Sequence, residues 1–246
     1  MSFLHLKSGE AIIIRDATLS DIPSMATLAS RAYFDTSSSL SAFLSPHRKQ
    51  HPQDYERGFR QRTEARFVNP RTQSIVAVLA SGPSHPIAYA QFIRLGDNPI
   101  AQRQISSRDT YPLRILSWYY WAQHHIVDHF WPDKSADPKA LQEFVAWGLE
   151  DDEKYWSAPE RANRWHAQSV VVAPEWQRNG VGRLLMRPIL DRAREEGVIV
   201  GLEASLEGER LYNALGFRLL GRFRETPQGT GGGGVMLWEP TSMISE

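Results

Sequence analysis

The stretch from Val170 to Arg183 constrains this chain more than any other part of the sequence. Three consecutive valines followed by Ala-Pro predict a buried strand that ends where Pro174 removes a backbone donor. Apolar residues then recur at spacings of three and four, which predicts a helix that begins near Gly180 and packs on a sheet. The stretch is therefore predicted to be a strand, a tight turn and the start of a helix.

The start of this helix is a candidate anion-binding site. The first backbone N–H groups of a helix have no intrahelical partner, and the helix dipole places partial positive charge there. Gly180 and Gly182 have no Cβ, so phosphates can approach these N–H groups, while Arg178 and Arg183 add charge at the rim. The dipole contributes only about 0.3–1 kcal/mol, so binding requires several donors and a polyanion such as pyrophosphate. A turn that needs small residues for packing is the alternative explanation.

Composition excludes several classes of protein. The chain has 246 residues, with 28 Lys plus Arg balanced by 28 Asp plus Glu, so no global charge favours nucleic acid. It has no cysteine, which excludes disulfides, thiolate zinc sites and a cysteine nucleophile. No apolar run is long enough for a membrane span, and the first residues do not resemble a signal peptide. We expect a cytoplasmic protein with no membrane or nucleic-acid partner.

The remaining pattern predicts a mixture of strands and helices. Strands are expected at 11–15, 74–80, 87–94, 164–172, 198–204, 217–223 and 235–238, and helices at 22–33, 53–67, 113–130, 138–156, 180–196 and 207–215. Ser20 or Asp21 is expected to cap the first helix, and Pro188 is expected to kink the helix after Gly180 or to be tolerated through packing. We expect one domain over residues 1–246, with a helical insertion at about 95–157.

The insertion contains five of the eight tryptophans. They are Trp118, Trp121, Trp131, Trp147 and Trp156. Aromatic residues at helical spacing usually belong to a core, so we expect the insertion to cover the sheet or to wall a pocket. Its His124, His125 and His129 lack the glutamate of a His-Glu-x-x-His motif, which favours a packed or solvated cluster over a metal site.

Two other segments have simpler explanations than a catalytic one. The hydroxyl-rich run 35–39 lacks a Gly-x-Ser-x-Gly frame and is expected to be a polar connection. The glycine run that follows Pro227 has no Lys-Ser/Thr after it, which favours a mobile hairpin loop over a phosphate-binding loop.

Two motifs resemble one known family. The string Gln177-Arg178-Asn179-Gly180-Val181-Gly182-Arg183 resembles the acetyl-CoA motif Gln/Arg-x-x-Gly-x-Gly/Ala of the GNAT superfamily of N-acetyltransferases. The segment Leu211-Tyr212-Asn213-Ala214-Leu215-Gly216-Phe217 resembles the Leu-Tyr-x-x-x-Gly-Phe element of the same family. A Rossmann fingerprint fits less well, because Gly182 is followed by Arg-Leu-Leu with no third glycine.

The resemblance implies an α/β fold with a twisted mixed sheet flanked by helices, in which two parallel strands separate and acetyl-CoA occupies the opening. The implied cofactor-binding residues are Val170, Val171, Val172, Gln177, Arg178, Asn179, Gly180, Val181, Gly182 and Arg183. Acetyl transfer then proceeds directly to an amine of a small molecule or peptide. Tyr212 is the implied acid for the leaving thiolate or positions the sulfur, unless it is only a packing anchor. His166 and Glu203 are the candidate bases, with an ordered water as the alternative.

Two rival functions stay open at this point. One is a catalytically idle acyl-CoA-binding or regulatory module on the same fold. The other is an unrelated nucleotide-binding α/β protein. The sequence does not identify the acetyl acceptor or the oligomeric state.

Overall fold

A computed structural model describes residues 3–5, 10–34, 39–226 and 233–240. The strands are β1 (Phe3–His5), β2 (Ala11–Asp16), β3 (Thr72–Leu79), β4 (Gly82–Leu95), β5 (Arg164–Val172), β6 (Ile199–Ala204), β7 (Arg218–Arg222) and β8 (Gly234–Trp238). The helices are α1 (Ile22–Phe34), α2 (Ser39–Leu44), α3 (Pro52–Phe67), α4 (Pro99–Arg108), α5 (Tyr111–Phe130), α6 (Pro138–Trp156), α7 (Pro159–Ala162), α8 (Val181–Glu196) and α9 (Leu206–Ala214). Every predicted strand and helix is present, whereas β1, α2, α4 and α7 were not predicted.

The strands form one mixed sheet in the order β1-β2-β3-β4-β5-β6-β8-β7. Neighbouring strands are antiparallel except for β5 and β6, which run parallel because α8 carries the chain from one to the other. The sequence prediction of a mixed α/β sheet flanked by helices is confirmed.

Helices cover both faces of the sheet. Alternate residues of β5 and β6, including Trp165, Val200 and Leu202, pack with α8 in the largest hydrophobic cluster. On the opposite face, Tyr89 and Val171 pack against α1 in a second cluster. The helix α3 lies beside α1 on that second face, and α8 lies on the first. The two faces therefore present different surroundings to any ligand that enters the sheet.

The start of α1 shows how local residues fix an element. Thr18 begins the capped turn, and the Asp21 carboxylate accepts hydrogen bonds from the Thr18 backbone N–H and hydroxyl at 2.7 and 2.8 Å. The expectation that Ser20 or Asp21 is the cap is wrong, because a short 3₁₀ turn precedes α1 and moves its start upstream. Burial by itself raises the pKa of Asp21, but hydrogen bonds from Arg15 and Thr18 outweigh it and lower this pKa to about 2.

The helix α8 runs unbroken through Pro188. Its apolar stripe is buried against the sheet, and this packing compensates for the hydrogen bond that proline removes. At the far end, the buried Glu196 carboxylate accepts a hydrogen bond from Arg94 of β4 at 2.9 Å. Arg94 also donates to the Asn98 side chain, which caps α4. This buried ion pair links the sheet, α8 and the start of the helical segment after β4.

The helical segment between Leu95 and Ser157 departs from expectation. Its tryptophans are not mainly core residues, since Trp118, Trp121 and Trp131 are 67%, 58% and 63% exposed. Helical spacing identifies an apolar stripe but not what the stripe faces, and α5 contacts mainly α3. The end of α6 does reach the sheet, where Trp156 is buried. A groove of about 340 Å³ between α5 and the end of α3 contains none of the predicted site residues.

Some predictions concern residues outside the described part of the chain. Residues 35–38 of the hydroxyl-rich run and residues 227–232 of the glycine-rich run belong to this group. Within the described ranges, no group of three or more His, Asp or Glu side chains could hold a metal ion. His124 instead contacts Glu64 at 2.7 Å. Over the same ranges, every helix is too short or too polar to cross a lipid bilayer.

Candidate functional site

The two parallel strands separate halfway along their length. Residues 164–167 of β5 pair with residues 199–202 of β6, and the ladder ends there. On its other side β5 stays paired with β4 as far as Val172. The segment 168–172 therefore has one open edge, at which alternate backbone N–H and C=O groups lack a strand partner. We call the space between this edge and the end of β6 the strand gap.

A β-bulge in β5 sets which side chains face each side of the gap. Gln91 lies opposite Ser169, but the next residue, Phe92, lies opposite Ala167, so Gln168 is an extra residue. The bulge places Val170 on the α8 face and turns Ser169 towards the opposite face. There the Ser169 hydroxyl donates to the Tyr89 hydroxyl at 3.1 Å.

The turn after β5 presents backbone donors at the helix start. Gly180 has φ +82°, which glycine adopts without strain, and Arg178 also has a positive φ of 61°. The first hydrogen bond of α8 runs from Leu184 N–H to the Gly180 carbonyl, so the N–H groups of residues 181–183 precede the intrahelical ladder. The Gln177 side chain donates to the Val172 carbonyl at 3.2 Å and ties the turn to the strand.

Two features of this turn fit a polyanion. In the described part of the chain, no carboxylate lies within 4.0 Å of the guanidinium of Arg178 or Arg183. Gly182 lies against α9, because a Cβ at this position would come 2.8 Å from Leu211 Cδ2. This contact supports the packing explanation for Gly182, because the small residue brings α8 and α9 together beside the N–H groups of residues 181–183. Anion binding at these N–H groups stays a prediction.

Tyr212 lies on α9, whose start is capped by the Ser205 hydroxyl. Its side chain is buried, with its ring edge-on to Phe217 at 5.5 Å between centroids. Burial and, to a smaller extent, the nearby Tyr33 raise the pKa of Tyr212 well above its usual value. The phenol is therefore protonated at neutral pH and is a weaker acid than an exposed tyrosine. Tyr33, at the end of α1, was given no functional role by the sequence.

His166 and Glu203 form a hydrogen-bonded pair on the face of the sheet opposite α8. The distance between His166 Nε2 and Glu203 Oε2 is 2.7 Å. Burial raises the pKa of Glu203, but the charge of His166 and hydrogen bonds from His166 and Trp156 outweigh it and lower this pKa overall. Glu203 is thus ionised near neutral pH, and its side chain is 45% exposed.

The other ring nitrogen of His166 points into the protein. His166 Nδ1 is buried without a hydrogen-bond partner, close to the Gly201 backbone. Trp156 stands edge-on to the imidazole at 5.3 Å and closes this side. An ionised carboxylate only accepts hydrogen bonds, so Nε2–H of His166 is the donor to Glu203. Of the two predicted bases, Glu203 is the more exposed to solvent.

Several neighbours of the gap carry no sequence signal that marks them. Ser169, Tyr89 and Trp156 belong to ordinary apolar runs, and only the bulge and the end of α6 bring them to the gap. Asp151 of α6 lies near Glu203, and burial raises its pKa, with Glu203 adding to the rise and Arg224 opposing it. The structure thus brings His166 and Glu203 together and places Tyr212 in the separate α9 layer.

Comparisons with known proteins agree with this geometry. Residues 139–219 match the family model described as an acetyltransferase (GNAT) domain. Among curated proteins, none shows significant sequence similarity to the chain. Many solved structures share the fold. One is described as histone acetyltransferase HPA2 and related acetyltransferase from Corynebacterium glutamicum, with TM-score 0.58, 18% identity and 98% coverage of both chains.

A second is arylalkylamine N-acetyltransferase 2 from Aedes aegypti, with TM-score 0.53, 10% identity, and coverage of 93% of this chain and 98% of that one. At these identities the structural likeness supports the fold alone. The family match adds that residues 139–219 are similar to the acetyltransferase class. More specifically, residues 139–219 match an acetyltransferase domain of the GNAT superfamily, which confirms the resemblance that the two sequence motifs predicted.

Proposed function

We propose that this protein is an acetyl-CoA-dependent N-acetyltransferase that transfers the acetyl group directly to an amine of a small molecule or peptide. The observation that carries the proposal is the strand gap between β5 and β6, which opens beside a helix start with free N–H donors. We further propose that residues 1–246 act as one such domain, with residues 95–157 as its insertion.

The residues that the sequence predicted to bind acetyl-CoA support this proposal. The pyrophosphate of acetyl-CoA would contact the N–H groups of Val181, Gly182 and Arg183, with charge from Arg178. The fit rests on two guanidiniums without carboxylate partners in the described ranges and on the N–H groups of residues 181–183, which precede the intrahelical ladder of α8. The open edge of β5 from 168 to 172, which includes Val170 and Val171, would offer backbone groups to the pantetheine arm. Gln177 and Asn179 hold the turn through their side chains.

Direct transfer needs a neutral acceptor amine as the nucleophile and an acid that protonates the departing CoA thiolate. The amine nitrogen forms a bond to the thioester carbonyl carbon, the C–S bond breaks, and the thiolate takes a proton. We assign Tyr212 as that acid, because it matches the tyrosine of the family motif and its phenol is protonated at neutral pH. Glu203 receives the amine proton directly or through a water, and its lowered pKa makes it a weak base that stays ionised. His166 is a positioning residue that orients Glu203 through Nε2–H.

The test uses two substitutions at one glycine. Gly182→Glu adds a carboxylate against the proposed phosphate site, and Gly182→Ala introduces the same Cβ against Leu211 without a charge. We expect calorimetry to show that Gly182→Glu loses acetyl-CoA binding, while Gly182→Ala retains it to within a few-fold. Equal affinity of the two folded variants would refute the cofactor site.

A second experiment separates the enzyme from an idle module. Release of the CoA thiol over a panel of amines measures turnover, and binding of acetyl-CoA without release from any acceptor would support the idle acyl-CoA-binding module instead. Stabilisation by ATP or NAD but not by acetyl-CoA in thermal shift would indicate the unrelated nucleotide-binding class.

A further inference from the structure

Two arginines of α3, Arg62 and Arg66, lie one turn apart on the same face of the helix. Within the described ranges, no carboxylate oxygen lies within 4.0 Å of either guanidinium. Asp133 attracts Arg62 from beyond that distance, and its Oδ1 already accepts hydrogen bonds from the Ser135 backbone N–H and hydroxyl. The other two arginines of this helix, Arg57 and Arg60, do form ion pairs.

Aromatic packing holds one of these guanidiniums in place. Arg62 lies over the Phe59 ring, 4.4 Å from its centroid. The Phe59 ring stacks on Tyr33 at 5.9 Å and meets Tyr55 edge-on at 5.0 Å, so it is itself fixed. A guanidinium on an aromatic face keeps its N–H donors in the plane of the group, where they are free to bind another partner.

Among the described residues, the positive charges of Arg62 and Arg66 lack a compensating anion within 4.0 Å. Burial lowers the pKa of Arg62, and the neighbouring positive charge of Arg66 lowers it further. Burial likewise lowers the pKa of Arg66. The phenols of Tyr89 and Tyr33 lie near Arg66 and would raise its pKa if they were ionised, but both are neutral at physiological pH. Two neighbouring, partly desolvated cations are unfavourable unless an anion joins them.

The pair lies beside the strand gap. The Tyr89 hydroxyl is held by Ser169 at 3.1 Å and by a hydrogen bond with Thr63 of α3, which places this turn of α3 next to the bulge in β5. Tyr33 is close enough to affect both Arg66 and Tyr212. Ser169 and the His166–Glu203 pair project from the same face of the sheet. One side of the gap thus carries positive charge from α3 and negative charge from β6.

We propose that Arg62 and Arg66 bind a carboxylate of the acetyl acceptor, so that the acceptor is an amine that also carries a carboxylate, as an amino acid does. A guanidinium matches a carboxylate with two parallel hydrogen bonds, and two of them satisfy its four lone-pair positions. Glu203 then faces the amine end of the same molecule. This inference rests on the proposed function, because it names the substrate of the same site.

The experiment compares matched acceptors on the full-length protein. Each amino acid of a panel is tested beside its amide and its decarboxylated amine, with CoA thiol release as the readout. The variants are Arg62→Gln and Arg66→Gln, with Arg62→Lys as a conservative change. Arg187→Gln is the control, because Arg187 is an exposed arginine on the opposite face of the sheet.

We expect the wild type to favour the amino acid of at least one set over its amide. Each Arg→Gln change should raise KM for that amino acid by about 10- to 100-fold, the size expected for losing a charge-assisted hydrogen bond. KM for the amide and for acetyl-CoA should stay unchanged, Arg62→Lys should recover part of the loss, and Arg187→Gln should behave as wild type. A purely structural role would lower the melting temperature without altering the preference for the carboxylate.

Calorimetry of product binding tests the carboxylate site independently of turnover. In the presence of CoA, calorimetry should show that wild type binds N-acetylated amino acids more tightly than their amides, and that Arg66→Gln abolishes the difference. Equal use and equal binding of acids and amides would overturn the carboxylate site while leaving acetyl transfer intact. Failure of the wild-type protein to bind acetyl-CoA would instead refute the proposed function.

Discussion

Replacing Gly201 with alanine tests the packing that holds the His166–Glu203 pair. A Cβ at this position would lie 2.4 Å from Trp156 Cη2 and 3.0 Å from His166 Nδ1. Real Cβ atoms do not approach another heavy atom within 3.0 Å, so the Trp156 ring must move. Trp156 is only 5% exposed and lies edge-on to His166, so little space is available for that movement.

The size of the effect follows from two opposing contributions. Overpacking of a buried site costs about 1–3 kcal/mol, and replacing glycine with alanine recovers about 0.4–1 kcal/mol through the unfolded chain. We therefore expect a net loss of about 1–2 kcal/mol, which lowers the melting temperature of a chain of this size by about 2–8 °C. Because Trp156 also hydrogen-bonds Glu203, we expect kcat to fall by about 10-fold while KM for acetyl-CoA stays unchanged.

The matched control is Gly148→Ala in the exposed part of α6. No atom lies within 4 Å of a Cβ at that position, so the same substitution should stabilise the protein by about 0.5–1 kcal/mol through helix propensity. Thermal unfolding and thiol-release kinetics on both variants provide the measurement. If Gly201→Ala melts as high as Gly148→Ala and keeps full turnover, Trp156 does not support the pair in the way described.

Three other substitutions test separate parts of the structure. Tyr212→Phe should lower kcat by about 100-fold with unchanged acetyl-CoA affinity, and an unchanged kcat would leave Tyr212 as a packing anchor only. Asp21→Asn should cost about 2 kcal/mol at pH 7, because the lowered pKa of Asp21 stabilises the folded state. This stabilisation is complete above about pH 4 and disappears as the pH falls towards 2. Urea unfolding of wild type and variant as a function of pH measures the cost and its pH dependence. Arg94→Met should cost about 1.5–3 kcal/mol, because it removes the buried partner of Glu196, which then keeps only its ion pair with Arg192 at 3.3 Å. Adding Glu196→Leu should restore part of the loss, as chemical denaturation will show.

The sequence determined the central unit of this protein. Three valines, a proline and two glycines at fixed spacing specify a buried strand, a turn and a helix start through local backbone preferences alone. Gly197 adopts the left-handed conformation that ends α8, which a glycine does without strain. The family motifs and the cofactor side of the site follow from this unit, because its residues are close in sequence.

Only the tertiary structure decided the acceptor side. The Arg62–Arg66 pair, Tyr89 and Ser169 meet through strand register and one bulge, which no local pattern encodes. The exposure of Trp118 and Trp121 likewise depends on what α5 packs against. Periodicity reports which residues share a face of a helix, whereas the partner of that face is set by contacts between residues distant in sequence. For this reason the sequence indicates the cofactor, and our proposal for the acceptor depends on how α3 packs against the sheet.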